Sequence, residues 1–303
     1  MYYIDAITTD AAQLLAGTTL AEDPTSAWVA GTYAVGDERH VVATHRVYKC
    51  ASAGSSTISP ELDTDRWSDQ RPTNLWAPFD IYTSTAATAT VDITYVLSSR
   101  FVNAIMLRGL VGKQCVVSIK DAPGGATIYP ATTFLLQQPA TGYWDYAYGT
   151  RKAKPSLTIT GLPIKSTAEI TITVSAESTN PRAIGMLVRG KLRALHGTGI
   201  GGTQKDAQAE PKTYTYRRVN ADGTQTTLLR GSSKDLSLNV IMDIAQADQA
   251  VQELEQLLST PVGVIASLSA GYAGLSAFGV ITKSPVSYRD GHASCSVVVE
   301  GII

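Results

Sequence analysis

The sequence predicts a mainly β protein: a small N-terminal β module, a central jelly-roll-like β-sandwich, and a C-terminal β domain with one helix. Three observations predict it. Short apolar-alternating runs, split by Gly, Pro and Asn turns, recur along the chain. Thr, Ser, Ala and Gly are abundant while Phe occurs only 4 times, a balance that suits many strands and turns better than a helical enzyme. One stretch, 243–258, carries apolar residues at helical spacing. A length of 303 residues suggests two or three domains, which divide at 1–80, 81–190 and 191–303.

Composition narrows the function. A formal net charge of -1 without a Lys/Arg cluster gives no argument for nucleic-acid or acidic-membrane binding. No apolar run reaches the length of a membrane span, so no membrane insertion is expected. Cys50, Cys115 and Cys295 are odd in number and lack Cys-x-x-Cys spacing, which argues against a disulfide framework or a zinc site and for small buried apolar residues. No nucleophile-elbow, zinc-protease or Cys-His pattern occurs, and Glu61, Asp63 and Asp65 read as a solvated turn. The expectation is a protein that is not an enzyme and needs no metal and no cofactor.

In the first unit, Met1–Thr9 reads as an edge strand or an ordered arm. Ala27–Asp37 and His45–Cys50 follow, with a turn at Gly36-Asp37 and with Val41 and Val47 pinning a minimal sheet. Trp28, Tyr33 and Trp67 have two readings: the core of a small module, or flat rings that stack on sugar faces. His40 and His45 lack neighbouring ligands at metal spacing and read as solvent or turn positions. An aromatic start, Tyr-x-x-Gly-Asp, a Val-Tyr pair, a Pro and a closing Trp occur between Trp28 and Trp67. This stretch resembles the small chitin-binding-type modules of glycoside hydrolases and phage proteins. The run Arg71–Asp80 (RPTNLWAPFD) then resembles a stretch of phage tail proteins, with Leu75 and Pro78 where the pattern has Arg and Met. Its two prolines forbid a helix, and Trp76 and Phe79 read as anchors seating a linker on the next unit.

Strand candidates of the second unit are Val91–Val96, Phe101–Leu110, Gln114–Asp121, Tyr143–Tyr148, Leu157–Thr160, Glu169–Ser175 and Ala183–Arg189. Many short strands at this spacing mean a sandwich or jelly roll. The unit resembles the galectin-like or discoidin-like sandwiches of phage distal tail proteins and lectins. Trp144, Tyr146 and Tyr148 fall on one strand face and read as core between two sheets, with a ligand platform as the alternative.

The third unit starts with a glycine-rich run, His196–Lys205, which lacks phosphate-loop spacing and reads as a flexible loop. Tyr214–Val219 and Thr224–Arg230, turned by Asn220–Gly223, form a hairpin. Leu236–Met242 is a strand. Asp243 caps a helix whose stripe is Ile244, Ala247, Val251, Leu254 and Leu258, and Pro261 stops it. Val262–Ser267, Leu275–Lys283 and Ser294–Ile303 are strands.

The run Ala273–Tyr288, closing on Ser294–Ile302, resembles the C-terminal end of tail and baseplate proteins of long-tailed bacteriophages, and the strand-helix-strand plan is similar to the tail-tube fold. The resemblance implies a distal tail protein: a homohexameric ring that continues the tail tube and joins baseplate hub proteins, with side fibres or cell-surface glycan as outer partners. The hairpin with Arg217, Arg218 and Arg230 would line its channel, and DNA would be passing cargo. It also implies a place in the virion after synthesis in the host bacterial cytoplasm. The alternative is a lectin-like host-adsorption protein.

Overall fold

The strand Tyr2–Ala6 lies in the middle of the largest sheet, hydrogen-bonded to Met186–Ala194 on one side and to Val262–Ile265 on the other, in a computed structural model that describes residues 1–197, 201–258, 260–269 and 271–303. The edge-strand or arm reading of Met1–Thr9 is therefore corrected. Its ladder runs from Tyr2 opposite Ala194 to Ala6 opposite Gly190, and a Cβ at Gly190 would collide with the Asp5 carbonyl. That close approach is what glycine permits here.

The chain is mainly β, with 47% strand and 9% helix, as the composition predicts. The long sheet has eleven strands. Its path runs from Leu157–Thr160 through Ala104–Arg108, Met186–Ala194, Tyr2–Ala6, Val262–Ile265, Ser276–Lys283, His292–Gly301 and Ser232–Asp243 to Gly201–Thr203. Gln208–Thr213 also pairs with Ser232–Asp243, and Val286–Arg289 with His292–Gly301. The sheet thus runs unbroken across the 190/191 position.

Alternation along its strands sorts three cores. Ile105, Leu107 and Leu187 face a second sheet, ordered Thr127–Leu135, Gln114–Lys120, Glu169–Ser175 and Ile93–Ser98. That pair of sheets is the sandwich, filled by Ile93, Tyr95, Leu97, Val117, Ile170 and Ile172. Tyr3, Val264, Leu238 and Val297 lie on the same face further along and meet helix α2, Ile244–Leu257. Ile4, Met106, Met186, Ile265 and Phe278 point to the other face, where the curl of the sheet closes over them.

Helix α2 begins where the sequence predicts. Asp243 accepts a hydrogen bond from the Ala245 amide at 2.9 Å, satisfying one of the donors that a helix start leaves free. Its buried residues are Ala247, Ala250 and Leu254. Ile244 and Leu258, expected on the stripe, lie at the helix ends and are each 40% exposed; Val251 is half-buried, and Ala250 is buried instead.

Three further expectations change. Tyr143–Tyr148 is a short helix, here α1, not a strand. Gly142 and Gly149 bound it, and the Asp145 carboxylate accepts from the Thr141 amide at 2.9 Å, tightening the turn. Aromatic residues favour strands only where a partner strand exists, and this segment is the tip of a connection closed by a Gln137–Ala153 bridge. Its rings are exposed, so the core reading of Trp144, Tyr146 and Tyr148 falls with it. Thr127–Leu135 is a nine-residue strand absent from the expected ones; it is an edge strand, where its Pro130 is tolerated. In the glycine-rich run, residues 198–200 lie outside the described residues, but Gly201–Thr203 pairs with Val240–Met242 as a strand rather than a free loop.

Candidate functional site

The hairpin is the first candidate. Tyr216–Val219 pairs with Gln225–Leu228 in a two-stranded sheet of its own, and all eight residues are exposed. Gly223, at φ +83°, turns it, and Asp222 accepts from the Thr224 amide at 3.0 Å. Tyr216, Arg218, Thr226 and Leu228 share one face; Arg217, Val219, Gln225 and Thr227 share the other. Arg230 lies just past the ladder, its amide donating to Thr215 Oγ1 at 3.4 Å. Among the described residues, Arg217, Arg218 and Arg230 make no ion pair. Tyr216, Val219, Leu228 and Leu229 add apolar surface to the same projection. The hairpin extends the ladder of Gln208–Thr213 with Ser232–Asp243, joined to it by the Tyr214 amide donating to the Gly231 carbonyl at 3.2 Å, and a two-stranded extension with both faces in water is one that a second surface would stabilise.

The sugar-contact candidates of the N-terminal module sit elsewhere. Tyr33 and Trp67 are buried and meet edge to face, with centroids 5.0 Å apart. Trp67 Nε1 donates to Ser56 Oγ at 3.2 Å. Trp28 is half-buried against this pair, and its Nε1 has no hydrogen-bond partner. With Val41, Tyr48 and Cys50 these rings are the module's own core.

Trp76 and Phe79 bridge the module and the sandwich. The Trp76 ring stacks on His45 at 4.1 Å, Phe79 packs 5.5 Å from both Trp76 and Tyr95, and Tyr95 donates its hydroxyl to the Leu75 carbonyl at 2.7 Å. A pair of carboxylates locks the arrangement. Glu22 accepts from Thr73 Oγ1 at 2.8 Å and lies 2.8 Å from His45 Nδ1. Asp23 accepts from Arg71 at 2.7 and 3.2 Å, from the Thr25 amide at 2.9 Å and from the Asn74 amide at 2.9 Å. Burial alone would raise the Asp23 pKa, but these hydrogen bonds outweigh it and hold the carboxyl at about 2. His45 occupies the turn after Glu38–Val41, as expected. His40 does not: it is buried within that strand, with Nδ1 2.9 Å from the Thr25 carbonyl.

The exposed surface that the sequence offered only as the alternative to core is α1. Tyr143, Trp144, Tyr146 and Tyr148 are between 68% and 79% exposed. Trp144 and Tyr148 stack with centroids 5.5 Å apart and 27° between planes, and the Arg151 guanidinium lies 5.7 Å from the Tyr146 ring centre. The signal was present as four aromatics between two glycines. The three cysteines are buried, and burial pushes the Cys115 thiol up to about 12 and Cys295 to about 11, which keeps both thiols protonated and unreactive.

No family model, curated protein or solved structure matches the chain.

Proposed function

We propose that the chain is a structural component of a bacteriophage tail tip, a distal-tail-type protein that closes with copies of itself into a ring continuing the tail tube. The observation that carries the reading is the hairpin from Tyr214 to Arg230. It projects with both faces exposed and places apolar residues beside unpaired arginines. Such an element fits a neighbour better than bulk water. Contacts around a ring are heterologous and close by rotation, and a hexamer would match the tail tube. In this reading the hairpin that carries Arg217, Arg218 and Arg230 lines the channel, DNA passes without being gripped, and the sandwich and small module face outward toward baseplate hub proteins or side fibres. The virion is then its place of action, after synthesis in the bacterial cytoplasm.

Sedimentation and negative-stain imaging over a concentration series test it. Closed rings are expected, and replacing 215–229 with a Gly-Ser turn should return them to monomers. A monomer at every concentration that also fails to cap purified tail tubes overturns the reading.

A second reading, a lectin-like adsorption protein, is favoured by α1, whose stacked, exposed rings have the flat apolar faces that sugars use. A glycan array with the intact chain, Trp144→Ala and Trp28→Ala separates the two aromatic groups. A signal lost only with Trp144→Ala supports the second reading at α1; no signal on any glycan counts against it.

A further inference from the structure

Two adjoining clefts of about 430 Å³ each meet at Lys234. One is walled by Lys154, Thr158, Thr160, Ser267 and Ser269 over Ile265 and Leu268; the other is walled by Arg108. Among the described residues, neither cleft has an acidic side chain in its walls. Arg108 donates through Nη2 to Ser276 Oγ at 3.2 Å, while its buried Nε has no acceptor. Lys234 donates to the Gly274 carbonyl at 2.6 Å. Among the described residues none of Arg108, Lys154 and Lys234 has a carboxylate within ion-pair distance.

That arrangement works against folding. Two cations drawn partly out of water beside each other, with no counter-charge, cost free energy. The cost registers on both: burial lowers Arg108 to about 10, and burial followed by the nearby Arg108 charge lowers Lys234 to about 8. Such a cost is offset when an anion enters, because hydrogen bonds to charged groups are the strong ones. The remaining walls say what carries the anion. Several hydroxyls face a polyol, and Ile265 and Leu268 offer an apolar floor to a C–H face.

We infer that the cleft joining Arg108, Lys234 and Lys154 binds a sugar-sized polyol bearing an oxyanion, either a phosphate or a carboxylate. The oxyanion lies between Arg108 and Lys234, and the hydroxyls of Thr158, Thr160, Ser267 and Ser269 receive the ring. This assignment does not rest on ring assembly and stands or falls separately.

Titration calorimetry with the full chain tests it, using glucose 6-phosphate, glucuronate, inorganic phosphate and glucose as probes. Saturable one-to-one binding of glucose 6-phosphate, glucuronate or both is expected, tighter than inorganic phosphate and absent for glucose; the sugar that binds identifies the oxyanion. Lys234→Gln should weaken binding on the order of tenfold or more, with an unchanged circular dichroism spectrum. Lys154→Gln, at an exposed position, should weaken it less. Lys191→Gln, on a different part of the sheet, should leave it unchanged. Failure of both anionic sugars to bind, equal affinity for inorganic phosphate, or binding untouched by Lys234→Gln overturns the assignment.

Discussion

Two aromatic groups in this chain look alike in sequence and end in opposite places. Tyr33 and Trp67 are buried, edge to face, in a module with few other apolar residues. Tyr143, Trp144, Tyr146 and Tyr148 stand in solvent on a helix of six residues. The difference lies in their neighbours. Each of the first pair belongs to a short strand with a hydrogen-bonded partner, Gly31–Tyr33 on Gly54–Ser56 and Trp67–Pro72 on Arg46–Cys50, so the rings are carried onto an existing sheet. The second group has no partner strand, and it is closed locally between two glycines by the Asp145 turn. A ring's hydrophobicity does not decide burial; a backbone ladder that delivers it to a second surface does.

The largest effect is expected at Trp67. Trp67→Ala empties the centre of the module and should cost about 3–5 kcal/mol, read as early local exchange of the amides of residues 31–72 while the sandwich amides stay protected. Equal loss of protection throughout would mean that the module is not an independent cooperative unit. Acid sharpens the contrast next. Asp23 has a folded pKa of about 2, below its ordinary 3.8, so its contribution is fully present above about pH 4 and is lost as pH falls toward 2. The loss should be roughly 2 kcal/mol and should loosen the joint around Arg71, Asn74 and Trp76; in Asp23→Asn this acid-dependent part should vanish from urea unfolding curves compared at pH 5 and pH 2. An unchanged acid slope in that variant would assign it to other carboxylates. Away from both groups, Asp243→Ala removes the cap of α2 and should lower stability by about 1 kcal/mol in thermal or urea unfolding. Smallest of all is Trp144→Ala. Loss of an exposed ring should change stability by no more than about 0.5 kcal/mol, and a larger drop would show that α1 packs on something in solution.

Local features of the sequence mark some elements and leave others unmarked. Asp243, the helical stripe and Pro261 placed α2 within a residue, because caps and breakers act over one turn. Glu169–Ser175 and Leu157–Thr160 fell where their alternation put them, since one face of each is buried and period two records it. Thr127–Leu135 was not legible: an edge strand needs little apolar content, and only its ladder with Gln114–Lys120 defines it. Arg182 was equally invisible. It is almost wholly buried, bonded to the carbonyls of Ala176, Ser178 and Asn180 in its own turn and, about ninety residues away, to the Thr90 carbonyl and the Asp92 carboxylate, and nothing local marks an arginine that will staple its turn to that distant segment. The cleft residues Arg108, Lys154 and Lys234 come from three separate stretches, and no spacing joins them.

The chain's own order of residues determined its strand-rich character, the helix with its cap, and the turn that shapes the hairpin, all of which depend on periodicity and φ/ψ preference within a few neighbours. Tertiary structure alone decided that Tyr2–Ala6 is central rather than peripheral, that one aromatic group is core and the other surface, and that three cations share a cleft without a counter-ion. Those outcomes are set by long-range ladders between residues up to 263 positions apart in pairs such as Tyr2 with Ile265, beyond the reach of any local pattern.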